Sequence, residues 1–147
     1  MTEKTILVVE DNPDHLELTL LTLQENGIRT QIVVAPDGVE ALSYLFGHGK
    51  YEGRDCTIQP EVVLLDLKLP KLSGIEVLQR IRADPLTEFV PVVILTSSSE
   101  EEDVIASYRS GANAFVRKPV DFGDFTQKLR QLQVFWVLVN ESRAAAS

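Results

Sequence analysis

The chain has 147 residues, of which 44% are hydrophobic and 24% charged, with a formal net charge of −8 and a pI near 4.7. This size suits one domain with its own core, and the acidic balance argues against general nucleic-acid binding and against docking on anionic lipid. A single cysteine, Cys56, excludes an internal disulfide, and the apolar run at 6–9 is too short for a signal peptide or a membrane span. We therefore expect a soluble cytoplasmic protein.

Five short apolar runs rich in valine and isoleucine are distributed along the chain. They lack the alternating polar residues of a half-exposed strand, so they predict strands that are buried on both faces of a parallel sheet. The predicted strands are Ile6–Val9, Ile32–Ala35, Val62–Leu65, Val92–Leu95 and Ala114–Val116.

Stretches with helical spacing of their hydrophobic residues alternate with these strands. The predicted helices are Asp14–Asn26, Asp37–Phe46, Gly74–Arg82, Glu100–Ser110 and a long last helix from Asp121 to about residue 140. Asp14, with Glu17 three residues later, is expected to cap the first helix. The alternation predicts a doubly wound α/β fold of the flavodoxin or CheY type, with a five-stranded parallel sheet and five helices. We expect a single domain over residues 1–147, with its core at about 4–135 and a disordered tail from about 142.

Ligands of doubly wound sheets bind at the carboxyl ends of the strands. The residues at those ends are mostly carboxylates, hydroxyls and amines, namely Glu10, Asp11, Asp66, Thr96, Ser97, Arg117 and Lys118. Clustered carboxylates repel one another unless a hard cation such as Mg²⁺ joins them, and a carboxylate can itself be a nucleophile. Metal, ammonium and hydroxyl are the groups that phosphoryl transfer requires.

Four segments in this order, VVEDN, VVLLDLKLPKLSG, VVILTSS and FVRKP, resemble the CheY-like receiver domain of two-component response regulators. The resemblance covers roughly residues 4–135. It implies that Asp66 is the phospho-acceptor. It also implies that Mg²⁺ is held by Asp11, Asp66 and the backbone carbonyl of Lys68, with Glu10 acting through a metal-bound water.

The same resemblance assigns roles around the phosphoryl group. Lys118 would neutralise one phosphoryl oxygen, and Thr96 would form a hydrogen bond to another. Thr96 and Phe115 occupy the positions of the family's switch residues. Lys68 and Ser98 would flank the path of the water that hydrolyses the aspartyl phosphate, so they are expected to influence its lifetime.

Two features resemble the single-domain regulators that are paired with cyanobacterial phytochromes. These are the long connection at 47–59 and the apolar continuation VFWVLVNE near the C-terminus. The resemblance implies a phosphorelay protein that takes its phosphoryl group from a histidine kinase, in particular a phytochrome-type sensor. It would signal to an unknown downstream protein through contacts, without a DNA-binding output domain and without enzymatic activity beyond self-catalysed phosphotransfer and slow autodephosphorylation.

Two other functions remain open on this topology. A phosphatase with an aspartyl nucleophile would carry a second aspartate two residues after the first, where this chain has Lys68. A flavin mononucleotide binder would need a phosphate cradle in the first loop, where residues 10–13 read EDNP and would repel phosphate without a metal. His15 and His48 have no partner at the spacing of a metal site or a catalytic triad.

The last predicted helix carries an unusually wide apolar surface. Its hydrophobic residues step by three and four, and the segment at 134–139 is apolar on every side. We expect this surface to form a homodimer interface through Phe135, Trp136 and Leu138. The alternative is a tail that folds back on its own domain.

Overall fold

The computed structural model describes residues 4–28, 30–97, 100–118, 121–133 and 138. The strands are β1 Thr5–Val9, β2 Gln31–Ala35, β3 Val62–Leu65, β4 Val92–Thr96 and β5 Ala114–Arg117. The helices are α1 Pro13–Glu25, α2 Gly38–Phe46, α3 Gly74–Ala83, α4 Glu101–Arg109 and α5 Phe122–Gln131, with a short 3₁₀ turn at Gly49–Tyr51. Within the described residues, none of these helices has the length and apolar character that crossing a membrane requires.

All five strands pair in parallel in the order β2-β1-β3-β4-β5, which confirms the predicted fold class. Strand β3 lies at the centre of the sheet, and each of its four residues is buried. The residue that follows β3 is Asp66, so the sequence places this carboxylate at the middle of the carboxyl edge.

The sheet separates two hydrophobic layers, because side chains of successive strand residues point to opposite faces. On one face Ile6, Val8 and their neighbours pack with residues of α1 and α5, including Leu23 and Phe125. On the other face Leu7 and alternate residues of the central strands pack with α2 and α3. Both faces are therefore covered, which is the reason that the strands show no polar alternation.

The long connection at 47–59 is anchored to the end of α2 by one arginine. The Arg54 guanidinium donates to the carbonyl oxygens of Tyr44 at 2.6 Å, Leu45 at 3.1 Å and Ile58 at 2.8 Å. It also lies 4.1 Å from the centroid of the Tyr44 ring. The carbonyls at the end of a helix lack partners within the helix. Arg54 binds two of these carbonyls in α2, which is capped by Gly47 in the left-handed conformation, and so holds the connection against the helix.

The first helix is capped two residues earlier than its sequence predicted. Asn12, rather than Asp14, is the N-cap, and its Oδ1 accepts from the backbone N–H groups of Asp14 at 2.9 Å and His15 at 3.1 Å. Pro13 then occupies the first helical position, where a missing N–H group costs nothing. This cap fixes the orientation of the first turn of α1 beside the sheet edge.

The last helix is shorter than predicted. α5 ends at Gln131, and Gln133 adopts a positive φ of 63°, so the helix does not continue unbroken toward residue 140. Leu138 has no exposed surface and packs in the layer that contains Phe125, with its carbonyl 3.5 Å from the Thr30 hydroxyl.

This placement removes Leu138 from the predicted dimer interface, because a side chain buried in its own core presents no surface to a second copy. The position of Leu138 agrees with the alternative of a folded-back tail. Phe135 and Trp136 lie outside the described residues, as does the predicted disordered tail from about 142.

Candidate functional site

Three carboxylates meet at the carboxyl edge of the sheet. Glu10 and Asp66 are buried and Asp11 is exposed, and one oxygen of each lies within 4.8 Å of the other two. The strand register produces this meeting, since Val9 of β1 pairs with Leu65 of β3. Glu10 and Asp66, which directly follow these two residues, therefore lie side by side. The Asp66 N–H donates to the Val9 carbonyl at 3.1 Å.

Lys118 joins two of these carboxylates. Its Nζ donates to Glu10 Oε1 and, at 3.2 Å, to Asp66 Oδ2, and its side chain is only 7% exposed. The backbone N–H of Lys118 donates to the Thr96 carbonyl at 2.8 Å, which extends the β4–β5 pairing by one bond. The lysine is therefore held at the sheet edge by its backbone as well as by its ammonium group.

The environment of Glu10 disfavours its charged form. Burial raises the pKa of the Glu10 carboxyl above its usual value, and the neighbouring Asp66 acts in the same direction. The hydrogen bond from Lys118 lowers the pKa of Glu10 without cancelling these effects. A second cation at this site would relieve the remaining repulsion between the carboxylates.

The donor set fits a hard divalent cation. Glu10, Asp11 and Asp66 offer carboxylate oxygens, the ligands that Mg²⁺ and Mn²⁺ prefer, and no sulfur is among them. The exposed position of Asp11 leaves one side of the cluster open to water, which Mg²⁺ retains in protein sites. The residues present therefore fit a hard divalent cation.

The loop between β3 and α3 wraps closely around Asp66. The Lys68 N–H lies 3.4 Å from Asp66 Oδ1, and the Lys68 side chain is exposed. At the end of the loop, the Gly74 N–H donates to the Leu67 carbonyl at 2.8 Å. A Cβ atom at Gly74 would lie 2.2 Å from the Asp66 carbonyl oxygen, so only glycine permits this approach.

The residues predicted to respond to phosphorylation lie on the neighbouring strands. Thr96 is the last residue of β4 and is buried, and its strand adjoins β3. Phe115 of β5 pairs with Ile94 and is half-buried against the layer that contains Leu65. Ser98 lies outside the described residues.

His15 belongs to this site, although its spacing in the sequence gave no indication of a role. Its Nδ1 lies 3.2 Å from Lys118 Nζ, and its side chain is half-buried in the first turn of α1. Its position in the sequence could have indicated this role. His15 is five residues after Glu10, in the first turn of the helix that follows β1, and that turn lies next to the carboxyl edge of the sheet.

The family model described as the response regulator receiver domain matches residues 6–130. Response regulator Rcp1 of Synechocystis sp. is 36% identical over 134 residues, which are 91% of this chain and 89% of Rcp1. The structure of the Mn²⁺-bound form of Rcp1 covers 90% of this chain and 94% of its own, with a TM-score of 0.74.

Two further solved structures are similar to this chain. The bacteriophytochrome response regulator AtBRR is 50% identical, with a TM-score of 0.82 over 92% of this chain and 96% of its own. The phosphorylated cyanobacterial phytochrome response regulator RcpA is 34% identical, with a TM-score of 0.76 over 92% of this chain and 95% of its own. With its fold, its carboxylate cluster and these similarities, the chain belongs to the response regulator receiver domain family of two-component signalling.

Proposed function

We propose that this receiver domain accepts a phosphoryl group on Asp66 in the presence of Mg²⁺ and signals through protein contacts. One observation carries the proposal: three carboxylates lie within 4.8 Å of one another, and a buried ammonium contacts two of them. When bound, Mg²⁺ supplies positive charge that neutralises the carboxylates and the incoming phosphoryl oxygens.

The chain's own residues hold and prepare the acceptor. An Asp66 oxygen attacks the phosphorus atom of the donor, the bond to the donor's leaving group breaks, and an acyl phosphate forms on Asp66. Lys118 is already 3.2 Å from Asp66 Oδ2, so it can follow the negative charge onto the phosphoryl group with little movement. Thr96, at the end of the adjoining strand, would hydrogen-bond a phosphoryl oxygen, and Phe115 would transmit the change along β5.

Incubation with acetyl phosphate and Mg²⁺ tests this function. The wild-type chain should gain the mass of one phosphoryl group, in a bond that is stable to acid and labile to base, and chelation of the metal should prevent the gain. Asp66→Asn should abolish it while the fold persists, and Asp124→Asn, at an exposed position in the first turn of α5, should leave it unchanged. An Asp66→Asn variant that is phosphorylated at the wild-type rate would refute the assignment.

The phosphoryl donor in the cell is proposed to be a histidine kinase of the phytochrome type. The similarity to the bacteriophytochrome response regulator AtBRR and to the cyanobacterial phytochrome response regulator RcpA supports this assignment. A phosphorylated phytochrome kinase should transfer its phosphoryl group to this chain within seconds to minutes, and an unrelated histidine kinase should do so far more slowly. Equal rates from both kinases would contradict the proposed pairing.

A homodimer is also proposed, now through Phe135 and Trp136 alone, because Leu138 is buried in its own chain. Their aromatic side chains are of the type enriched in protein interfaces. Trp136→Glu should lower the sedimentation coefficient of a dimeric wild-type protein to that of a monomer. A wild-type protein that remains monomeric at high concentration would exclude this interface.

A further inference from the structure

The Lys118 ammonium lies close to three polar atoms, and the third is not a carboxylate oxygen. An ammonium group has three N–H donors. Two are directed at Glu10 Oε1 and Asp66 Oδ2, and His15 Nδ1 lies 3.2 Å from the same nitrogen. His15 Nδ1 is thus the one contact of this ammonium, among those that the described residues show, that could accept its third N–H.

A closed ring of hydrogen bonds fixes this histidine. The Asn12 N–H donates to Glu10 Oε2 at 3.3 Å, and Asn12 Oδ1 accepts from the His15 N–H at 3.1 Å. His15 Nδ1 then meets Lys118 Nζ, which donates back to Glu10 Oε1. Glu10, Asn12, His15 and Lys118 are therefore linked in a circle, and the cap of α1 places the first turn of the helix where His15 contacts Lys118.

We propose that His15 is a positioning residue for Lys118: its neutral ring accepts a hydrogen bond from the ammonium and keeps another N–H directed at Asp66 Oδ2. The ring must then carry its proton on Nε2, because Nδ1 accepts. The proposal rests on the proposed phosphorylation of Asp66, and it adds a residue outside the strand ends to that site.

With this contact, Lys118 needs to change its conformation less when the phosphoryl group arrives. Long side chains such as lysine lose considerable rotamer freedom when they are fixed in one geometry. With His15 present, that freedom has been lost before the reaction, and preorganised donors stabilise developing charge without further movement. Without the acceptor, Lys118 samples other rotamers and is directed at Asp66 for only part of the time.

Two substitutions of His15 distinguish the effect of its hydrogen-bond acceptor from the effect of its size. His15→Leu removes the acceptor but keeps an apolar side chain that favours a helix. His15→Asn keeps an acceptor oxygen at nearly the position of Nδ1. His48→Ala is the matched control. His48 is exposed just after α2 and lines a surface groove with Arg80, so it does not belong to the carboxylate cluster.

The rate of phosphorylation by acetyl phosphate with Mg²⁺ is the first measurement, because this small donor needs no docking surface on α1. His15→Leu should slow the reaction about two- to tenfold, the range that corresponds to one ordinary hydrogen bond. His15→Asn should react within about twofold of the wild-type rate, since the acceptor is retained. His48→Ala should react at the wild-type rate. Equal rates for His15→Leu and wild type, or an equal loss in both His15 variants, would overturn the proposal.

A second measurement does not depend on phosphorylation. In ¹⁵N NMR spectra of the metal-free protein, the Lys118 ammonium protons should exchange slowly with water, because three acceptors hold them. Exchange should accelerate in His15→Leu and remain slow in His15→Asn. Unchanged exchange in His15→Leu would overturn the positioning role even if Asp66 is phosphorylated, whereas a wild type that fails to phosphorylate but shows this pattern would refute only the proposed function.

Discussion

Gly74 packs directly against the backbone of Asp66, the proposed phospho-acceptor. A Cβ atom added at this position would lie 2.2 Å from the Asp66 carbonyl oxygen and 2.7 Å from the Leu67 Cα atom. Cβ atoms essentially never approach other atoms closer than 3.0 Å, so the two backbone segments must separate by at least 0.8 Å, the difference between 3.0 and 2.2 Å. Both contacts are with backbone, so no flexible side chain can relieve them.

Gly74→Ala should therefore damage stability and function together. Overpacking of this kind destabilises a fold by about 1–3 kcal/mol. The displacement moves the backbone that carries the phospho-acceptor, and a misplacement of about 1 Å can reduce the rate of a positioned reaction about a hundredfold. We expect a phosphorylation rate about 10- to 100-fold lower than that of the wild type.

The measurements are urea unfolding and phosphorylation by acetyl phosphate under identical conditions. Gly123→Ala in the exposed first turn of α5 is the control, and its nearest contact would be 3.3 Å from the Asp121 side chain, which can adjust. This control should change the free energy of unfolding by less than about 1 kcal/mol and leave the rate unchanged. A Gly74→Ala protein with wild-type stability and rate would show that the loop is not confined as the distances require.

Substitutions at three further positions test the packing of the fold and the charge of the site. Arg82→Ala should lower the free energy of unfolding by about 2–4 kcal/mol in urea titrations without loss of phosphorylation, because its guanidinium donates to three backbone carbonyl oxygens and the Asn113 side chain, none of them at the carboxylate cluster. Asp37→Ala should lower the free energy of unfolding by about 1–2 kcal/mol, because it removes the cap of α2 and the ion pair with Lys71. Asp37→Asn should lower it less, because the amide oxygen still caps the helix. The pKa of Glu10 is raised in the folded state, so the metal-free wild type loses stability from this group as the pH rises from 4.5 through the folded pKa. In thermal unfolding, the melting temperature of Glu10→Gln minus that of the wild type should therefore increase over that pH range. A decrease would show that the pKa of Glu10 is not raised in the folded state.

The strands and the carboxylate cluster could be predicted because their signals are local. Runs without polar alternation predicted every strand to within about one residue at each end, and the strand ends indicated which polar residues meet. Glu10, Asp11 and Asp66 come together because parallel register aligns successive strand ends, a rule that needs no knowledge of side-chain rotamers.

The features that sequence reasoning missed depend on side-chain reach or on competition between residues. Asn12 and Asp14 are both good caps, and the preference of Pro13 for the first helical position decides between them. His15 reaches Lys118 across more than one hundred residues, which no local pattern records. The break after α5 occurs at Gln133, whose positive φ is unusual for a residue other than glycine and gives no compositional signal.

The location of the phosphoryl group on the chain tests the role of Asp66 most directly. After phosphorylation with acetyl phosphate and Mg²⁺, reduction by borohydride converts a phosphorylated aspartate into homoserine, and peptide sequencing then identifies the position. Homoserine should appear at position 66 alone, and none should form when the metal is chelated. Modification of a different residue, or of position 66 at an equal rate without metal, would contradict this role.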